Sequence, residues 1–273
     1  LLAAQGKKRA RCVVVIEACE ESGSYDLPAY IEHLAPRIGT PSLVVCLDSG
    51  CANYEQLWST TSLRGLVAGT LRVDVLTQGQ HSGDASGIVA SSFRVLRQLL
   101  SRIEDEKTGE ILLRELHAAI PQGRVEQAKK AAETLGSEIW SKFPWVDGMR
   151  PMHADAAELV LNRTWRPTLS VIGVDGIPSL GNAGNVLRPY TSLKLSIRVP
   201  AGVDAHKATE AIARTLTTDV PDGAKATFEG EKAADGWNAP ALAPWLGDAL
   251  DSASHGLWGK PSMFMGEGGT IPF

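Results

Sequence analysis

Several features that would restrict the function of this chain are missing from its sequence. No stretch of about 18 consecutive apolar residues occurs, so no segment is predicted to span a membrane. The formal net charge is -4, which gives no electrostatic reason to expect nucleic acid or an anionic membrane as a partner. The chain also has no internal repeat and no low-complexity tract. These absences favour a small molecule, or another protein, as the binding partner.

Cysteine is scarce and its spacing is uninformative. None of the four cysteines, Cys12, Cys19, Cys46 and Cys51, forms the C-x-x-C pair typical of structural zinc or thiol exchange. We interpret them as small buried residues, and a reducing cytoplasmic location is favoured. The chain begins "LLAAQGKKRAR", without Met, which does not resemble a signal peptide and looks like the end of a helix from something longer.

The first part of the sequence predicts a βαβ unit. The apolar runs Cys12–Ile16 and Ser42–Leu47 are short and rich in β-branched residues, which is typical of strands buried on both faces. Between them, "YDLPAYIEHLAPRIG" predicts a helix with Pro28 in its first turn and Gly39 at its end. The two strands are therefore expected to be parallel neighbours.

Acidic residues follow both predicted strands. Glu20 and Glu21 come after the first strand, and Asp48 follows the second. Because the carboxyl ends of parallel strands meet at one edge of a sheet, these carboxylates are expected to crowd one crevice, where open α/β sheets bind ligands. Such a cluster indicates a bound metal, a shared proton or an acidic helix start exposed to solvent. The spacing alone leaves these alternatives open.

From Leu66 onward the pattern changes to half-buried strands. "TLRVDV" and "SLKLSIRV" alternate apolar and polar residues. A helix with apolar positions between 88 and 103, a strand near 168–174, a helix near 204–216 and a strand near 224–229 complete the order βαββαβ. This order predicts a ferredoxin-like sandwich, with two helices on one face of an antiparallel sheet.

Two further regions interrupt or follow this sandwich. An insertion from about Glu104 to Arg166 carries two predicted helices, "TGEILLRELHAAI" and "RVEQAKKAAETLGSEIWSKF". After Gly230 the composition shifts to Gly, Pro and Trp, with a helix predicted near Ala241–His255.

Five short motifs occur in an order that resembles a known family. The motifs "IEACEESGS", "RGL", "QHSG", "KLSIRVP" and "EGGTIP" are similar to those of the dinuclear zinc peptidases that include carnosinase-like dipeptidases, succinyl-diaminopimelate desuccinylase and aminoacylase. The "HSG" sequence, the long insertion and "EGGTIP" make the dipeptidase branch the best match. The resemblance runs from about Arg11 to Phe273.

The resemblance implies an α/β fold with a second domain inserted into it. An incomplete catalytic domain with a parallel sheet would comprise residues 1–65 and 230–273. A ferredoxin-like α+β lid, which also serves dimerisation, would comprise residues 66–229 and include the helical insertion near 104–166. Family members often form homodimers through this lid, so a homodimer is expected here.

The resemblance also implies a catalytic centre. Glu20 matches the general base that takes a proton from a water bridging two metals, while Glu21 and Asp48 match metal ligands. The usual ions are two Zn²⁺, although carboxylate-rich sites also accept Mn²⁺ or Co²⁺.

The remaining matched residues are implied to bind substrate, and each also has a structural interpretation. His81 resembles a lid histidine that polarises the scissile carbonyl in the partner subunit's site, but it could instead cap the helix that follows. Arg198 matches the arginine that holds a substrate carboxylate, although an exposed Arg more commonly forms a surface ion pair. Asn185 corresponds by position to a polar substrate contact. Gly268, Gly269 and Thr270 resemble a carboxylate-binding loop, or could form a tight turn.

The sequence departs from the family at its metal ligands. Of five expected protein ligands, only Glu21 and Asp48 have counterparts, so we expect this chain alone to bind zinc weakly and to be inactive. The function implied is metal-dependent hydrolysis of an amide bond in dipeptides or short peptides. The alternatives are deacylation of N-acyl amino acids by the same chemistry, or a non-catalytic fragment that dimerises through its lid.

Overall fold

The computed structural model describes residues 5–48 and 50–271, which fall into two compact units. The first unit contains the described residues up to Gly50 together with Ile271, and the second spans Cys51–Thr270. The helices are α1 Leu27–Ile38, α2 Ser82–Ala85, α3 Ser92–Leu100, α4 Gln122–Leu135, α5 Glu138–Ser141, α6 Ala156–Thr164, α7 Ala205–Thr217 and α8 Pro244–Trp258. The strands are β1 Trp58–Leu63, β2 Gly65–Asp74, β3 Gln80–His81, β4 Thr168–Asp175, β5 Val186–Leu187, β6 Tyr190–Val199, β7 Lys225–Ala234, β8 Trp237–Asn238 and β9 Met263–Glu267.

The first unit contains the helix that its sequence predicts. Helix α1 carries Pro28 in its first turn and ends at Gly39, whose φ of 75° favours glycine. The Arg11 guanidinium donates to the carbonyl of Ile38 at 2.9 Å and also to that of Arg37, so it satisfies acceptors at the end of the helix. The helix nevertheless buries none of its residues.

The two strands predicted in this unit are absent, and that prediction is wrong. Cys12–Ile16 and Ser42–Leu47 form no ladder in the described structure, and their apolar side chains lie exposed, with Val14 at 80% and Leu47 at 94%. The four cysteines, predicted to be buried, are also exposed. A buried parallel pair needs neighbouring strands and cover on both faces, which one helix without buried residues does not provide.

The predicted ferredoxin-like sandwich is confirmed in the second unit. Its antiparallel sheet has the strand order β4-β6-β2-β7, and the chain order of these strands with α3 and α7 is βαββαβ. The central strand β2 alternates buried and half-buried residues over its whole length. Leu71 lies opposite Leu193 on one side and Phe228 on the other, so the apolar halves of three strands share one face.

Helices α3 and α7 cover that apolar face. Their buried side chains join those of the strands in one core, which contains Val67, Leu71, Val73, Val95, Leu96, Leu99, Ile103, Leu195, Ile197, Ala208, Ile212 and Leu216 among others. The predicted apolar positions of α3 are confirmed in part, because Leu96 and Ile103 are buried whereas Ile88 and Phe93 are exposed. Val95 and Leu99 are also buried, although they were not predicted. The helix begins only at Ser92, so Ile88 lies outside its periodicity.

The insertion builds a second, smaller core. Helices α4 and α6 pack against each other and against β9, and they bury Ala131, Leu135, Leu161 and Trp165 with Met265. The helix predicted over "RVEQAKKAAETLGSEIWSKF" is confirmed as α4 and α5, interrupted at Gly136, where φ is 51°. Helix α6 was not predicted.

The helix predicted over "TGEILLRELHAAI" is wrong. This segment contains only a short 3-10 turn, Arg114–Leu116, and Ile111 forms an isolated bridge with Glu104. Ile111 and Leu116 are both buried in the larger core, so tertiary packing outweighs a local helical pattern.

A three-stranded sheet adjoins the sandwich. Strand β1 pairs parallel with β9 and antiparallel with β8. A single residue, Arg64, separates the end of β1 from the start of β2, so it links the two sheets. Among the described residues, no helix has the length and apolar composition to cross a membrane.

The larger core predicts a clear contrast between two leucines. Leu195 is fully buried in β6, whereas Leu180 is 97% exposed. We expect Leu195→Ala to lower the free energy of unfolding by roughly 2–5 kcal/mol, because it leaves a cavity in a packed interior. The matched change Leu180→Ala is expected to alter it by about 0.5 kcal/mol or less. Urea denaturation followed by circular dichroism measures both, and equal effects would contradict the core assignment.

Candidate active site

Three residues that the sequence assigns to substrate binding meet at one end of strand β6. Arg198 lies near the end of this strand, and its Nη1 donates a hydrogen bond to Oγ1 of Thr270 at 2.7 Å. The Thr270 hydroxyl in turn donates to the carbonyl oxygen of Arg64 at 2.6 Å. Gly268 belongs to the same loop, and its carbonyl accepts a hydrogen bond from Nε of Arg64 at 3.2 Å. The structure therefore brings Arg198, Gly268 and Thr270 together around Arg64.

Arg64 is the buried centre of this arrangement. Only 8% of its surface is exposed. Besides Gly268, its guanidinium donates to the hydroxyl of Thr168 at 2.9 Å and to the carbonyls of Arg166 and Asn162 at 3.2 and 3.4 Å. All of these acceptors are neutral, and no described carboxylate lies within ion-pair distance of Arg64 or Arg198. Such a site is suited to an anion.

The electrostatics of the two arginines agree with this geometry. Burial, followed by the positive charges of Arg198 and Arg163, lowers the pKa of the Arg64 guanidinium to about 10. Burial likewise lowers the pKa of Arg198. Arg163 has a partner, since its Nη2 lies 3.6 Å from a carboxylate oxygen of Glu267. A bound carboxylate would offset the uncompensated positive charge at Arg64 and Arg198.

The glycines around this site have unequal roles. A Cβ atom at Gly268 would lie 3.0 Å from the Arg163 carbonyl and 3.2 Å from Nη2 of Arg64, whereas a Cβ at Gly269 would meet nothing within 4 Å. Gly65, which follows Arg64, approaches the Ala234 carbonyl so closely that a Cβ would lie 2.4 Å from it. Gly65 and Gly268 are therefore needed for close packing, and Gly269 is not.

A second pair of predicted residues meets at the opposite end of the sandwich. His81 in β3 lies opposite Val186 in β5, and the backbone N–H of Ser82 donates to the Asn185 carbonyl at 2.9 Å. The His81 ring also forms the cap that the sequence left as an alternative, because its Nδ1 accepts from the Gly83 N–H at 3.1 Å. Neutral His81 therefore carries its ring proton on Nε2, which remains available as a donor.

The acidic residues of the first unit lie on a tight turn. Glu20 and Glu21 belong to a 3-10 helix that ends at Gly23, where φ is 104°, and the next residue, Ser24, also has a positive φ of 53°. The turn therefore depends on a conformation that glycine adopts readily. The turn lies near the segment before Asp48. This proximity affects the Cys46 thiol, whose pKa is raised first by partial burial and then by the charges of Asp48, Glu20 and Glu17.

These acids do not form a complete metal site by themselves. Among the described residues, no group of three or more His, Cys, Asp and Glu side chains has the arrangement to hold a metal ion. A tight zinc site needs three or four protein ligands, and the two predicted ligands, Glu21 and Asp48, would supply only two of them. One carboxylate oxygen of Glu17 is also buried without a described hydrogen-bond partner.

Sequence reasoning missed Arg64. The residue belongs to the "RGL" motif, and the motif alone assigns it no role. A signal was nevertheless present, because an arginine directly before an alternating strand such as "GLVAGTLRVD" is drawn towards the core and has to find acceptors for five N–H donors. Which acceptors it finds depends on α6, β4 and the loop after β9, which are distant in sequence.

The two glycines of the loop give a matched test of this packing. We expect Gly268→Ala to destabilise the protein by roughly 1–3 kcal/mol, because the added methyl group has to displace the Arg163 backbone or the Arg64 guanidinium. Gly269→Ala meets open space and is expected to change the free energy of unfolding by about 0.5 kcal/mol or less. Denaturant unfolding of the two variants measures the difference. A Gly269→Ala variant as unstable as Gly268→Ala would contradict the described loop.

Comparison with known proteins identifies the family. The model of the M20 peptidase dimerisation domain matches residues 61–224. The chain is 26% identical over 272 residues to the Cys-Gly metallodipeptidase DUG1 of Saccharomyces cerevisiae, covering 95% of this chain and 54% of the yeast protein. The DUG1 protein of Candida albicans is 23% identical over 270 residues, with the same coverage. The chain thus spans about half the length of the curated relatives it matches.

Solved structures show the same fold. Human carnosine dipeptidase 1 superimposes with a TM-score of 0.69 at 21% identity, over 93% of this chain and 54% of that one. The dipeptidase Dug1p of Saccharomyces cerevisiae gives a TM-score of 0.68 at 22% identity, over 94% of this chain and 54% of that one. With the domain model matching more than half of its residues, the chain belongs to the M20 peptidase family.

Proposed function

We propose that this chain is part of a metal-dependent peptidase that hydrolyses the amide bond of dipeptides or short peptides with a free C-terminal carboxylate. Family membership and the similarity to a Cys-Gly metallodipeptidase and a carnosine dipeptidase support this class of reaction. The observation that carries the proposal is the Arg198–Thr270 pair, because neither Arg198 nor the neighbouring Arg64 has a described carboxylate partner.

The substrate carboxylate is assigned to Arg198. Only Nη1 of its guanidinium is used by Thr270, which leaves Nε and Nη2 without a described acceptor. A guanidinium presents parallel N–H donors that match the two oxygens of a carboxylate. The side chain is half-buried, so an ion pair formed there is screened less than one on the open surface.

The reaction itself is assigned to the first unit. Glu20 is proposed as the general base that takes a proton from the attacking water, and Glu21 and Asp48 as the metal ligands that this chain contributes. Metal ions, two Zn²⁺ or alternatively Mn²⁺ or Co²⁺, would polarise the scissile carbonyl and lower the pKa of the water. Because these two carboxylates are too few for a tight site, we expect the 273-residue chain alone to hold zinc weakly.

His81 is proposed to act on a substrate held by a second copy of the chain. Strand β6 runs from Tyr190, beside the segment that pairs with β3, to Arg198, a length of roughly 26 Å at the usual rise per residue. His81 and Arg198 of one chain thus belong to opposite ends of the sandwich. The exposed Nε2–H of His81 is suited to donate to a scissile carbonyl oxygen. Asn185, beside it, is proposed as a further polar contact.

The lid, proposed as residues 66–229, offers an edge for the dimer. Val171 and Val174 of the edge strand β4 lie opposite Leu195 and Leu193, so their side chains share the apolar face. Both remain exposed, because α3 and α7 pack over the other three strands. An exposed apolar edge strand favours pairing with another chain, in agreement with the dimerisation domain that the sequence matches.

The substrate assignment is tested on the natural protein that contains this chain. We expect it to hydrolyse dipeptides at a kcat/KM at least roughly 10- to 100-fold above that of their C-terminal amides, because charged hydrogen bonds to Arg198 are lost with the amides. Arg198→Met should remove this preference. A panel of N-acetyl and N-succinyl amino acids separates the alternative deacylase, which would cleave these better than dipeptides.

The same measurements address the non-catalytic alternative. Intact mass and metal content on the same sample accompany the kinetics. Absence of hydrolysis and of bound metal in a homogeneous natural protein would contradict the peptidase proposal and favour a dimerising fragment.

The dimer is tested at the edge strand. We expect Val171→Lys to raise the dimer dissociation constant by roughly 10-fold or more, because a charge would be buried at the proposed interface. Leu257→Lys is the matched control, since Leu257 is an exposed apolar residue of helix α8 and does not belong to the sheet that contains β4. Sedimentation velocity at several concentrations measures both. Equal dimerisation of the Val171→Lys variant and the unmodified chain would contradict this interface.

A further inference from the structure

We propose that Arg64 is a positioning and specificity-determining residue of the carboxylate site: it orients Thr270 and Arg198 and selects an anionic over a neutral substrate terminus. This inference rests on the proposed function, because it names the residue that prepares the site for a carboxylate. Arg64 itself is buried and is not required to touch the substrate.

The hydrogen bonds of Thr270 have a direction that orients Arg198. The carbonyl of Arg64 accepts the Thr270 hydroxyl proton at 2.6 Å, so the lone pairs of Thr270 Oγ1 face Arg198. Nη1 of Arg198 donates to this oxygen at 2.7 Å. One guanidinium nitrogen is therefore anchored, and the rotation of the whole planar group is restricted. A preorganised guanidinium loses less conformational entropy when a carboxylate binds.

The Arg64 side chain also holds the loop that carries Thr270. Its Nε donates to the Gly268 carbonyl, and Nη1 contacts Thr168 at the start of β4 and the carbonyls of Asn162 and Arg166 at the end of α6. The absence of a Cβ at Gly268 allows this approach. Lysine cannot reproduce these contacts, because its three donors share one nitrogen.

The described charges around the site leave a positive excess at Arg64 and Arg198. The charged groups near Arg64 come from three elements: Arg198 on β6, Arg163 with Arg166 and Glu158 on and beside α6, and Glu267 on β9. Arg166 pairs with Glu158 at 2.7 Å, and Arg163 lies 3.6 Å from Glu267. Arg64 and Arg198 therefore remain without a described counter-charge. A carboxylate bound at Arg198 would supply one, whereas an amide would not.

The experiment compares two probes that differ only in this charge. N-acetylglycine carries the free carboxylate and N-acetylglycinamide is its neutral counterpart, and their dissociation constants are measured by calorimetry with the full chain. We expect Arg64→Met to lower the preference for the anion by roughly 10-fold, the effect of one nearby charge in a partly screened site. Arg64→Lys should keep a larger share of the preference than Arg64→Met, because it retains the charge. Arg94→Met, which removes a charge paired with Asp222, is the control and should leave the preference unchanged.

A second variant covers the case in which Arg64→Met does not fold. Thr270→Val removes the hydroxyl that joins the Arg64 carbonyl to Arg198 but leaves both charges. It should weaken binding of N-acetylglycine and leave binding of the amide unchanged, because only the anion depends on the orientation of the Arg198 guanidinium.

The outcomes separate this inference from the proposed function. If Arg198→Met abolishes the preference while folded Arg64→Met leaves it within about twofold, the role of Arg64 is wrong and the carboxylate site stands. Unchanged affinity of the Thr270→Val variant for N-acetylglycine would also overturn it. If the unmodified chain binds both probes equally, the carboxylate site itself is wrong, and both proposals fail.

Discussion

The buried charge of Arg64 is the constraint on which the arrangement of the second unit depends. The residue is the whole connection between β1 and β2, which belong to different sheets. A guanidinium withdrawn from water costs several kcal/mol unless its donors are satisfied. Its acceptors come from the end of α6, the start of β4 and the loop after β9. These three segments have to keep their positions together, and the same positions place Thr270 against Arg198.

This dependence gives the helical insertion a structural purpose. An insertion into the sandwich could have left its helices, α4 and α6, without a core of their own. Instead they form their own core against β9, with Trp165 and Met265 buried in it. That packing holds the carbonyls of Asn162 and Arg166 in reach of Arg64. The insertion therefore supports the site, although none of its side chains was predicted to bind substrate.

The sequence predicts the sandwich well because the alternation of apolar and polar residues along a half-buried strand indicates which of its faces is buried. Strands β2 and β6 place apolar residues on one face whatever the neighbouring segments do, and both are confirmed. The runs Cys12–Ile16 and Ser42–Leu47 have no such internal signal, since a continuous apolar run becomes a strand only where neighbours pair with it and cover it. Strands β1 and β9 were missed for the opposite reason, because "WSTTSL" and "MFMGE" show no clear period of two.

The residues of the candidate site also differ in how far the sequence alone could predict them. Arg198 and Thr270 could be proposed from short motifs, and the structure brings them together beside Arg64. Arg64 could not be assigned, because its importance comes from acceptors up to 204 residues away in the chain. The roles of Glu20, Glu21 and Asp48 remain a prediction, since a pair of carboxylates defines a metal site only through further ligands.

The length of strand β6 links the lid to the proposed chemistry. It separates the His81 end of the sandwich from the Arg198 end by the span of ten residues. His81 of one chain therefore lies at the opposite end of the sandwich from Arg198 of the same chain, so it would not reach a substrate held there. If two copies of the chain paired symmetrically through β4, their two β4 strands would be antiparallel. The His81 end of one lid would then lie on the same side as the Arg198 end of its partner. The proposed dimer would account for both the uncovered apolar face of β4 and the separation of the two residue groups, and dimerisation would then be required for the proposed reaction.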